Sequence, residues 1–406
     1  MKVIRPLVKL LALLLLMPVA ANLILVFVVC PVYDFPAPEP FSGDSYYNPY
    51  EEISDGDWLK GNFHAHTRTF WGLMNGRKNS AEAVRNRYSD MGYDIIGISD
   101  YMGINRTFED QPMFIPVYEH GYNYNKTHQL VLGAERVQWL DFQFVQTIHS
   151  KQFMLDTLGD DGELTVINHP KRRDGYPLDQ LYRLGGFQLV EIWSTIARST
   201  LHWDSLLSAG KPVFAMGNDD CHDIYDINDY GVAATVVFAE GKFPASVMDA
   251  LRKGNSFVLV PMQEEEDTHE RKAERSISSR EIYPVEVSVR DDLLDITMSK
   301  PIRHARFIGQ EGRVRSEGDV TGPTASATFE SDDTYLRAEF VMESGDRVFL
   351  NPVFRVQGPG LPEPLLPRVN WGKTLIYRGV TLVLTVLCIG VAVRSRKRRG
   401  AGLYRP

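Results

Sequence analysis

The chain has 406 residues, of which 24% are charged and 44% hydrophobic, and its formal net charge at pH 7 is −8. This length predicts more than one domain, and the composition is typical of a globular protein. The acidic charge argues against a nucleic-acid-binding protein, whose binding surface would be basic. Only Cys221 of the three cysteines lies outside the apolar ends, so an intradomain disulfide is excluded there.

Residues 1–30 predict a membrane-spanning helix. Three basic residues within the first nine precede an apolar stretch, Leu10–Val29, that is long enough to cross a bilayer. A cleaved signal peptide with a processing site at Val19–Ala21 is the alternative. The apolar stretch continues past that point, which favours an uncleaved signal-anchor. A lipoprotein signal at Cys30 fits less well, because a bulky valine precedes this cysteine.

Residues 31–56 predict an extended spacer, and strand-like and helical stretches alternate over residues 57–262. This alternation predicts parallel strands joined by crossover helices. Ser80–Tyr88 predicts a helix with Ala81, Val84 and Tyr88 on one side and Asn79 or Ser80 as the N-cap. A second helix is predicted from Leu201 to Ala209, ended by Gly210. The predicted strands are residues 93–99, 130–134, 164–168, 187–193 and 212–216.

Metal-ligating residue types follow several of these strands. His64 and His66 are two residues apart, so in a strand both imidazoles face the same side. Asp220 and His222 repeat this spacing, and Cys221 between them should face away. Glu135 and His169 each close a short apolar run. Because functional groups gather at the carboxyl ends of barrel strands, these six residues predict one metal centre.

The order of these elements resembles the PHP (polymerase and histidinol phosphatase) superfamily over residues 55–260. The resemblance implies a TIM-like, distorted (β/α)7 barrel, a metal-dependent phosphoesterase activity, and ligand roles for His64, His66, Glu135, His169, Asp220 and His222. The chain departs from the family at Ser99-Asp100-Tyr101, where the family has Asp-His. His149 is the candidate for a further family histidine.

Such a site would bind one or two divalent ions, with zinc, manganese and iron all compatible with a mixed nitrogen and oxygen ligand set. Glu135 could bridge two ions, and Asp100, Tyr101 and Glu135 are the predicted catalytic residues, with the Tyr101 hydroxyl as a hydrogen-bond donor. Residues 102–128 are interpreted as a loop over the site, with His120 and His128 as structural or surface residues rather than ligands. The cations predicted to bind a phosphoryl group are Arg68, Arg136, Lys171, Arg172 and Arg173.

The remainder of the chain predicts a β-rich region and a return to the membrane. Residues 263–281 indicate a charged linker, 282–357 a small antiparallel β-sandwich and 358–373 a Pro-rich linker. Residues 374–394 predict a second transmembrane helix, and 395–406 a basic tail. Because basic residues flank the outer end of both spans, both termini should be cytoplasmic and the main domains extracytoplasmic, either periplasmic or extracellular.

The sequence therefore predicts an α/β protein: a PHP-type barrel, then a β-sandwich, flanked by two transmembrane helices. The function predicted is a membrane-anchored, extracytoplasmic metal-dependent hydrolase acting on a phosphorylated small molecule, with no nucleic-acid partner. The alternative is a non-catalytic metal- or ligand-binding ectodomain on a degenerate barrel, which Tyr101 favours. The oligomeric state and the substrate are not set by the sequence.

Overall fold

In the computed structural model, residues 4–53, 56–69, 76 and 78–402 are described. They form a mixed α/β fold with two main sheets. Helices α1–α8 are, in chain order, Ile4–Ile24, Ala81–Asp90, Ile148–Gly159, Leu178–Leu181, Thr200–Ser208, Pro244–Lys253, His269–Ser278 and Trp371–Gly402. Strands β1–β9 are Tyr33–Asp34, Ser45–Tyr47, Asp57–Asn62, Ile95–Ile96, Val117–His120, Gln129–Leu132, Leu164–Ile167, Leu189–Trp193 and Phe214–Gly217. Strands β10–β18 are Ala234–Ala239, Ser256–Val260, Pro284–Arg290, Leu293–Ile308, Val314–Thr328, Tyr335–Met342, Arg347–Leu350, Val353–Val356 and Arg368–Val369.

The first sheet contains β5 to β9 in sequence order. Strands β7, β8 and β9 pair in parallel, as the alternation of strands and helices predicts, but β5, β6 and β7 pair antiparallel. The turn between β5 and β6 is closed by Asn123, whose amide donates to Thr127 O (3.0 Å) and whose Oδ1 accepts from Thr127 N (2.8 Å). The interpretation of residues 102–128 as a loop over the site is therefore wrong in part, because residues 117–128, nearly half of the segment, form a hairpin strand and its turn.

The second sheet has eleven strands and contains β3, which pairs in parallel with β4 and antiparallel with β10. It continues through β11, β16, β15 and β13 to β12. The region predicted to be a separate sandwich does pair antiparallel, but Phe257–Val260 of β11 hydrogen-bonds to Arg347–Leu350 of β16. These strands therefore extend the sheet that carries β3.

Two isolated parallel bridges connect the sheets edge to edge. Ala65, beyond the end of β3, pairs with Cys221 beyond β9, and Tyr101, beyond β4, pairs with Glu119 in β5. The Cys221 side chain is buried among apolar residues, in agreement with the prediction that it faces away from its neighbours' side. The bridges bring the polar residues that follow β3, β4 and β9 to one location.

The helix predicted over residues 80–88 is α2, Ala81–Asp90. The Ser80 hydroxyl accepts from Ala83 N at 3.1 Å, which is the N-cap bond expected for this residue and contributes about 1 kcal/mol. Ala81, Val84 and Tyr88 are the buried face. Gly210 follows α5 with φ +76°, a conformation that favours glycine and ends the helix.

Part of the segment predicted to be a charged linker is helical. Residues 263–281 contain α7, whose Lys272, Ala273 and Ser276 are buried. The Ser276 hydroxyl donates to Met91 O at 2.8 Å, and its own carbonyl accepts from Lys60 Nζ at 2.8 Å. This helix packs against α2 and β3 because its apolar and small residues share one face, so it is not a solvated linker over its whole length.

The N- and C-terminal helices adjoin each other where they meet the rest of the protein. Two stretches are long and apolar enough to cross a membrane: Leu10–Val29, which runs from α1 through the π-helix Leu25–Val29, and Trp371–Ser395 within α8. Strands β1 and β18, beside these helices, pair antiparallel. Arg378 Nη2 donates to Val29 O at 2.9 Å.

Candidate metal centre

Two histidines and two carboxylates form a buried cluster beyond the ends of β3 and β9. His64 and His66 project from the same side of the extended chain, with ring centroids 5.2 Å apart. Asp220 Oδ1 lies 3.2 Å from Nε2 of each imidazole. Glu119 contributes Oε1 at 3.3 Å from His64 Nε2 and Oε2 at 3.4 Å from His66 Nε2. All four side chains are at most 1% exposed.

A second group shares Glu119 with the first. Oε1 of this carboxylate lies 2.9 Å from His128 Nδ1 and 3.3 Å from His169 Nε2. Within each group, one potential ligand atom per residue lies within 4.8 Å of every other. A carboxylate has two oxygens, so Glu119 can contribute to both groups at once. This is the arrangement expected of a bridging ligand between two metal ions.

The residues fit a cation because several of their polar atoms have no other partner. Among the described residues, six buried atoms in the two groups accept or donate no hydrogen bond. Leaving such an atom unpaired in the interior costs about 1–3 kcal/mol, and more for a charged group. A divalent ion, which imidazole nitrogens and carboxylate oxygens commonly ligate, would satisfy those that face the interior of the cluster: His64 Nε2, Glu119 Oε2 and Asp220 Oδ2. The other three unpaired atoms are the outward-facing ring nitrogens His66 Nδ1, His128 Nε2 and His169 Nδ1.

The buried imidazoles and carboxylates of the cluster shift one another's pKa values. Burial alone would raise the pKa of Glu119, but His128 and His64 hold this pKa well below its usual range. Burial lowers the pKa of His128 and of His222 to about 4, so both are neutral at pH 7, the form that binds metals. Burial opposes protonation of His64 as well, yet Asp220 and Glu119 raise its pKa well above the usual value. A proton on His64 and a cation beside the same carboxylates would therefore compete.

Contacts behind the cluster fix the orientation of the imidazoles. Glu191, on β8, has Oε1 2.9 Å from His64 Nδ1, which leaves Nε2 facing Glu119 and Asp220. His222 Nδ1 lies 2.7 Å from the carbonyl oxygen of Asp220, which leaves its Nε2 available. A hydrogen bond from the second ring nitrogen to a carboxylate or carbonyl is the usual support for a metal-binding histidine.

The backbone is strained at two of the cluster residues. His169 has φ +27° and Asp220 has φ +57°, values that non-glycine residues rarely adopt and that cost about 1–3 kcal/mol each. The Asp219 carboxylate holds the turn at Asp220 in place, accepting from Tyr88 Oη (2.7 Å) and from three backbone amides of residues 231–233. Such strain persists where the surrounding contacts impose it, and it is frequent at functional sites.

Tyr101 lies against the cluster, as the sequence predicts for the residue after the second strand of the barrel pattern. Its ring stacks on His66 with centroids 4.6 Å apart and an interplanar angle of 8°. Its hydroxyl is buried with no hydrogen-bond partner among the described residues. Burial, together with Glu119 and Asp220, raises the pKa of this phenol well above its usual value, so it is a neutral donor.

Of the residues predicted as ligands, His64, His66, His169 and Asp220 come together, and His222 adjoins them, its ring centroid 4.7 Å from that of His66. The prediction for Glu135 is wrong. Glu135 is exposed and follows the carboxyl end of β6, which runs antiparallel to β7. The carboxyl end of β6 therefore lies at the opposite end of the sheet from His169. Glu119 supplies the carboxylate instead.

The predictions for His149 and Asp100 are also wrong. His149 lies in the first turn of α3, where its Nδ1 accepts from Tyr33 N at 3.1 Å and its ring stacks on Phe35. It holds the chain that follows α1. Both oxygens of Asp100 are engaged by Thr67, through its backbone N and hydroxyl at 2.6 Å each, so Asp100 fixes the segment after His66.

The side chains predicted to bind a phosphoryl group differ in whether they lie near the cluster. Arg172 Nη1 lies 3.5 Å from Asp220 Oδ2, and its side chain is 30% exposed, so it forms part of the entrance to the cluster. It lines an open cleft of about 580 Å³ with Lys171, Arg173 and Arg198. Arg136 instead pairs with Asp161 at 2.6 Å, at the end of the sheet where Glu135 lies. Arg68 is exposed, and its backbone N donates to Asn79 O.

Glu119 was not identified from the sequence, and the prediction that His128 is a structural or surface residue is wrong, because His128 belongs to the second ligand group. Both lie in the hairpin that was interpreted as a loop. His128 immediately precedes β6, whose residues Leu130–Leu132 are apolar, so it lies at the amino end of that strand. The apolar residues Ile115 and Val117 before Glu119 were the available signal for β5. His120, in contrast, is structural as predicted, since its Nδ1 contacts Gln129 and its Nε2 contacts Leu140 O.

The sequence matches no family model and no curated protein. Among solved structures, this chain is similar to a two-domain protein from Bacteroides vulgatus containing a predicted PHP-like metal-dependent phosphoesterase. The two are 12% identical, and the match covers 83% of this chain and 99% of that one with a TM-score of 0.39. A similarity at this level does not establish a family, and the interpretation of the site depends on its own geometry.

Proposed function

We propose that this protein is a membrane-anchored, extracytoplasmic metal-dependent phosphoesterase with a centre for two divalent ions. The observation that carries the proposal is the position of Glu119, whose carboxylate belongs to two buried ligand groups at once. His64, His66 and Asp220 would complete one position, and His128 and His169 the other. Zinc, manganese and iron remain equally compatible with this ligand set.

The proposed scaffold is a distorted (β/α)7 barrel formed by β3 to β9. The pairing of β3 with β4, the run from β5 to β9, and the bridges Ala65–Cys221 and Tyr101–Glu119 support a closed ring of seven strands. In this arrangement β6 is the strand that runs against its neighbours. The ligands gather at the end of the ring where β3, β7 and β9 finish.

Divalent ions at such a centre lower the pKa of water and polarise a phosphoryl oxygen. Hydrolysis of a phosphate monoester forms a P–O bond to water and breaks the P–O bond to the alcohol, and a proton from the water ends on the alcohol. Arg172 at the entrance would pair with the phosphoryl oxygens, as arginine commonly does. The buried Tyr101 hydroxyl would donate to the same group as negative charge develops.

The proposed membrane topology has both termini in the cytoplasm and the sheets on the other side. The apolar stretches Leu10–Val29 and Trp371–Ser395 and their basic flanks support it. The pairing of β1 with β18 and the bond from Arg378 to Val29 O also support two helices that leave the body together. A reporter that is active only after export, fused after residue 270, should give signal. A silent exported reporter with an active cytoplasmic one at that point would exclude this topology.

The activity is tested with the full chain purified in detergent and loaded in turn with manganese, zinc or iron. We expect turnover of at least one member of a panel of phosphate mono- and diesters. His66→Ala should abolish it and lower the bound metal, whereas Glu135→Gln, an exposed carboxylate, should change neither. Bound metal without turnover of any phosphoester would exclude the enzyme and support a non-catalytic metal-binding ectodomain.

A further inference from the structure

The apolar N-terminal helix packs against the body of the protein near the metal centre. Asn22, Val26 and Cys30 lie on one face of this segment and are buried against an apolar cluster that includes Tyr118 and Phe142. Asn22 Oδ1 accepts from Val145 N at 2.9 Å. This contact accounts for a polar residue within the apolar stretch Leu10–Val29: its side-chain oxygen is hydrogen-bonded to the protein, and the side chain is buried rather than directed to lipid.

The hydrogen bond from Val145 to Asn22 fixes the position of residues 139–145 along the axis of α1. Asn22 lies about 10 Å along the helix axis from Val29, the end of the apolar stretch. Over these 10 Å one face of the helix, at Asn22, Val26 and Cys30, is buried against the protein. If α1 crosses a bilayer, Asn22 and the segment that contacts it therefore lie at the edge of the hydrocarbon, in the interfacial region. Its side chains suit that environment, since Trp139 is 59% exposed, Phe144 47% and Val145 40%. Exposed tryptophan and apolar residues at this depth are typical of interfacial membrane contact. We call residues 139–145 the membrane loop.

The membrane loop is connected to the entrance of the metal centre. Tyr124 N donates to Gln143 O at 2.9 Å, so the turn between β5 and β6 lies along the loop. Arg173 Nη1 donates to the carbonyl oxygen of Tyr124 at 3.2 Å, and its guanidinium lies 5.4 Å from the centroid of the Tyr124 ring. The adjacent Arg172 is the residue that lies 3.5 Å from Asp220. A continuous surface therefore runs from the cationic entrance to the membrane loop.

We infer that the substrate is a lipid that carries a phosphoryl group and reaches the centre from the bilayer. This inference rests on the proposed function, because it identifies the substrate of the same site. The cationic entrance matches a phosphoryl headgroup, and the exposed apolar side chains beside it match the boundary between headgroups and acyl chains. A freely diffusing phosphoester would need the same cations but no apolar surface at their edge.

The membrane contact is measured without any turnover. The full chain is reconstituted in phosphatidylcholine vesicles whose acyl chains carry bromine, which quenches nearby tryptophan. The quenched fraction of wild-type fluorescence should exceed that of Trp139→Phe, because Trp139 contributes quenchable emission. Equal quenching of the two proteins would place Trp139 away from the bilayer and overturn the inference, whatever the enzyme hydrolyses.

The substrate class is measured by comparing each lipid with its own headgroup. Dioleoyl phosphatidic acid and dioleoyl phosphatidylglycerol are assayed in mixed micelles against glycerol 3-phosphate and glycerophosphoglycerol. We expect kcat/KM for a lipid to exceed that of its chain-free headgroup by about tenfold or more. Phe144→Asp should lower the lipid value by about tenfold and leave the soluble value unchanged. Val285→Asp, an exposed apolar residue on β12, is the matched control and should change neither.

Equal or faster turnover of the chain-free headgroups would overturn the lipid inference while leaving the phosphoesterase intact. Failure to turn over any phosphoester, lipid or soluble, would instead remove the proposed function and the substrate assignment with it.

Discussion

Glu191 Oε1 lies 2.9 Å from His64 Nδ1, on the side of the imidazole opposite Asp220. A buried carboxylate in this position fixes the ring and increases the basicity of the other nitrogen. We expect Glu191→Gln to keep the fold and to weaken metal binding by about 10–100-fold. Competition with a chelator of known affinity measures this change.

Glu163→Gln is the matched control for this variant, because Glu163 is exposed and lies beside the amino end of β7, away from His169. It should bind metal as the wild type does. Wild-type affinity in Glu191→Gln would show that the carboxylate does not support the centre.

Tyr101 is predicted to act as a hydrogen-bond donor. Because its buried hydroxyl has no partner among the described residues and its pKa is raised, it remains protonated at neutral pH. Tyr101→Phe should lower kcat by about 10²-fold, as removal of a donor to developing charge does elsewhere, and leave the metal content unchanged. Steady-state kinetics and metal analysis of the same preparation check both. An unchanged kcat would exclude the donor role, and loss of metal would identify Tyr101 as a ligand.

Lys60 should make the stability of the protein depend on pH. Its amine is buried, with Nζ 2.8 Å from Ser276 O and 2.7 Å from Ser276 Oγ, and burial lowers its pKa to about 7. In the unfolded chain the pKa returns to about 10.4, so between these values the unfolded state binds the extra proton. The free energy of unfolding should therefore rise from pH 7 to pH 9, by at most about 1.4 kcal/mol per unit from this group.

Lys60→Met should remove this contribution. Lys151 and Lys211, whose pKa values burial lowers to about 8, titrate in the same range, so the informative quantity is the difference between wild type and variant. Denaturant unfolding of the detergent-solubilised chain at pH 7, 8 and 9 gives it. Parallel pH profiles for the two proteins would show that Lys60 is not buried in its neutral form.

The sequence was sufficient to predict those parts of the structure that a local pattern determines. Two histidines at a spacing of two after an apolar strand must face the same side, and a serine before an amphipathic stretch caps a helix, as Ser80 does. Glu119 and Glu135 show what a local sequence pattern cannot predict. Each lies near a short apolar run, and their environments differ because β6 runs antiparallel to β7. Strand direction is set by long-range pairing, which the residues around Glu135 do not encode.

The helical part of residues 263–281 was missed for a related reason. Its charged composition indicates solvent, but Ala273 and Ser276 share one face of α7 with Lys272, and all three are buried. The partner of Ser276 is Met91 O, far away in the sequence. Burial of this face therefore depends on tertiary contacts that composition does not reveal.

Manganese binding followed by electron paramagnetic resonance tests most directly whether Glu119 bridges two metal ions. The wild-type chain should bind two Mn²⁺ ions and give the spectrum of an exchange-coupled pair. Glu119→Gln should bind at most one ion per chain and lose the coupling, while Glu135→Gln should match the wild type in both respects. A coupled pair in Glu119→Gln, or its loss in Glu135→Gln, would contradict the assignment.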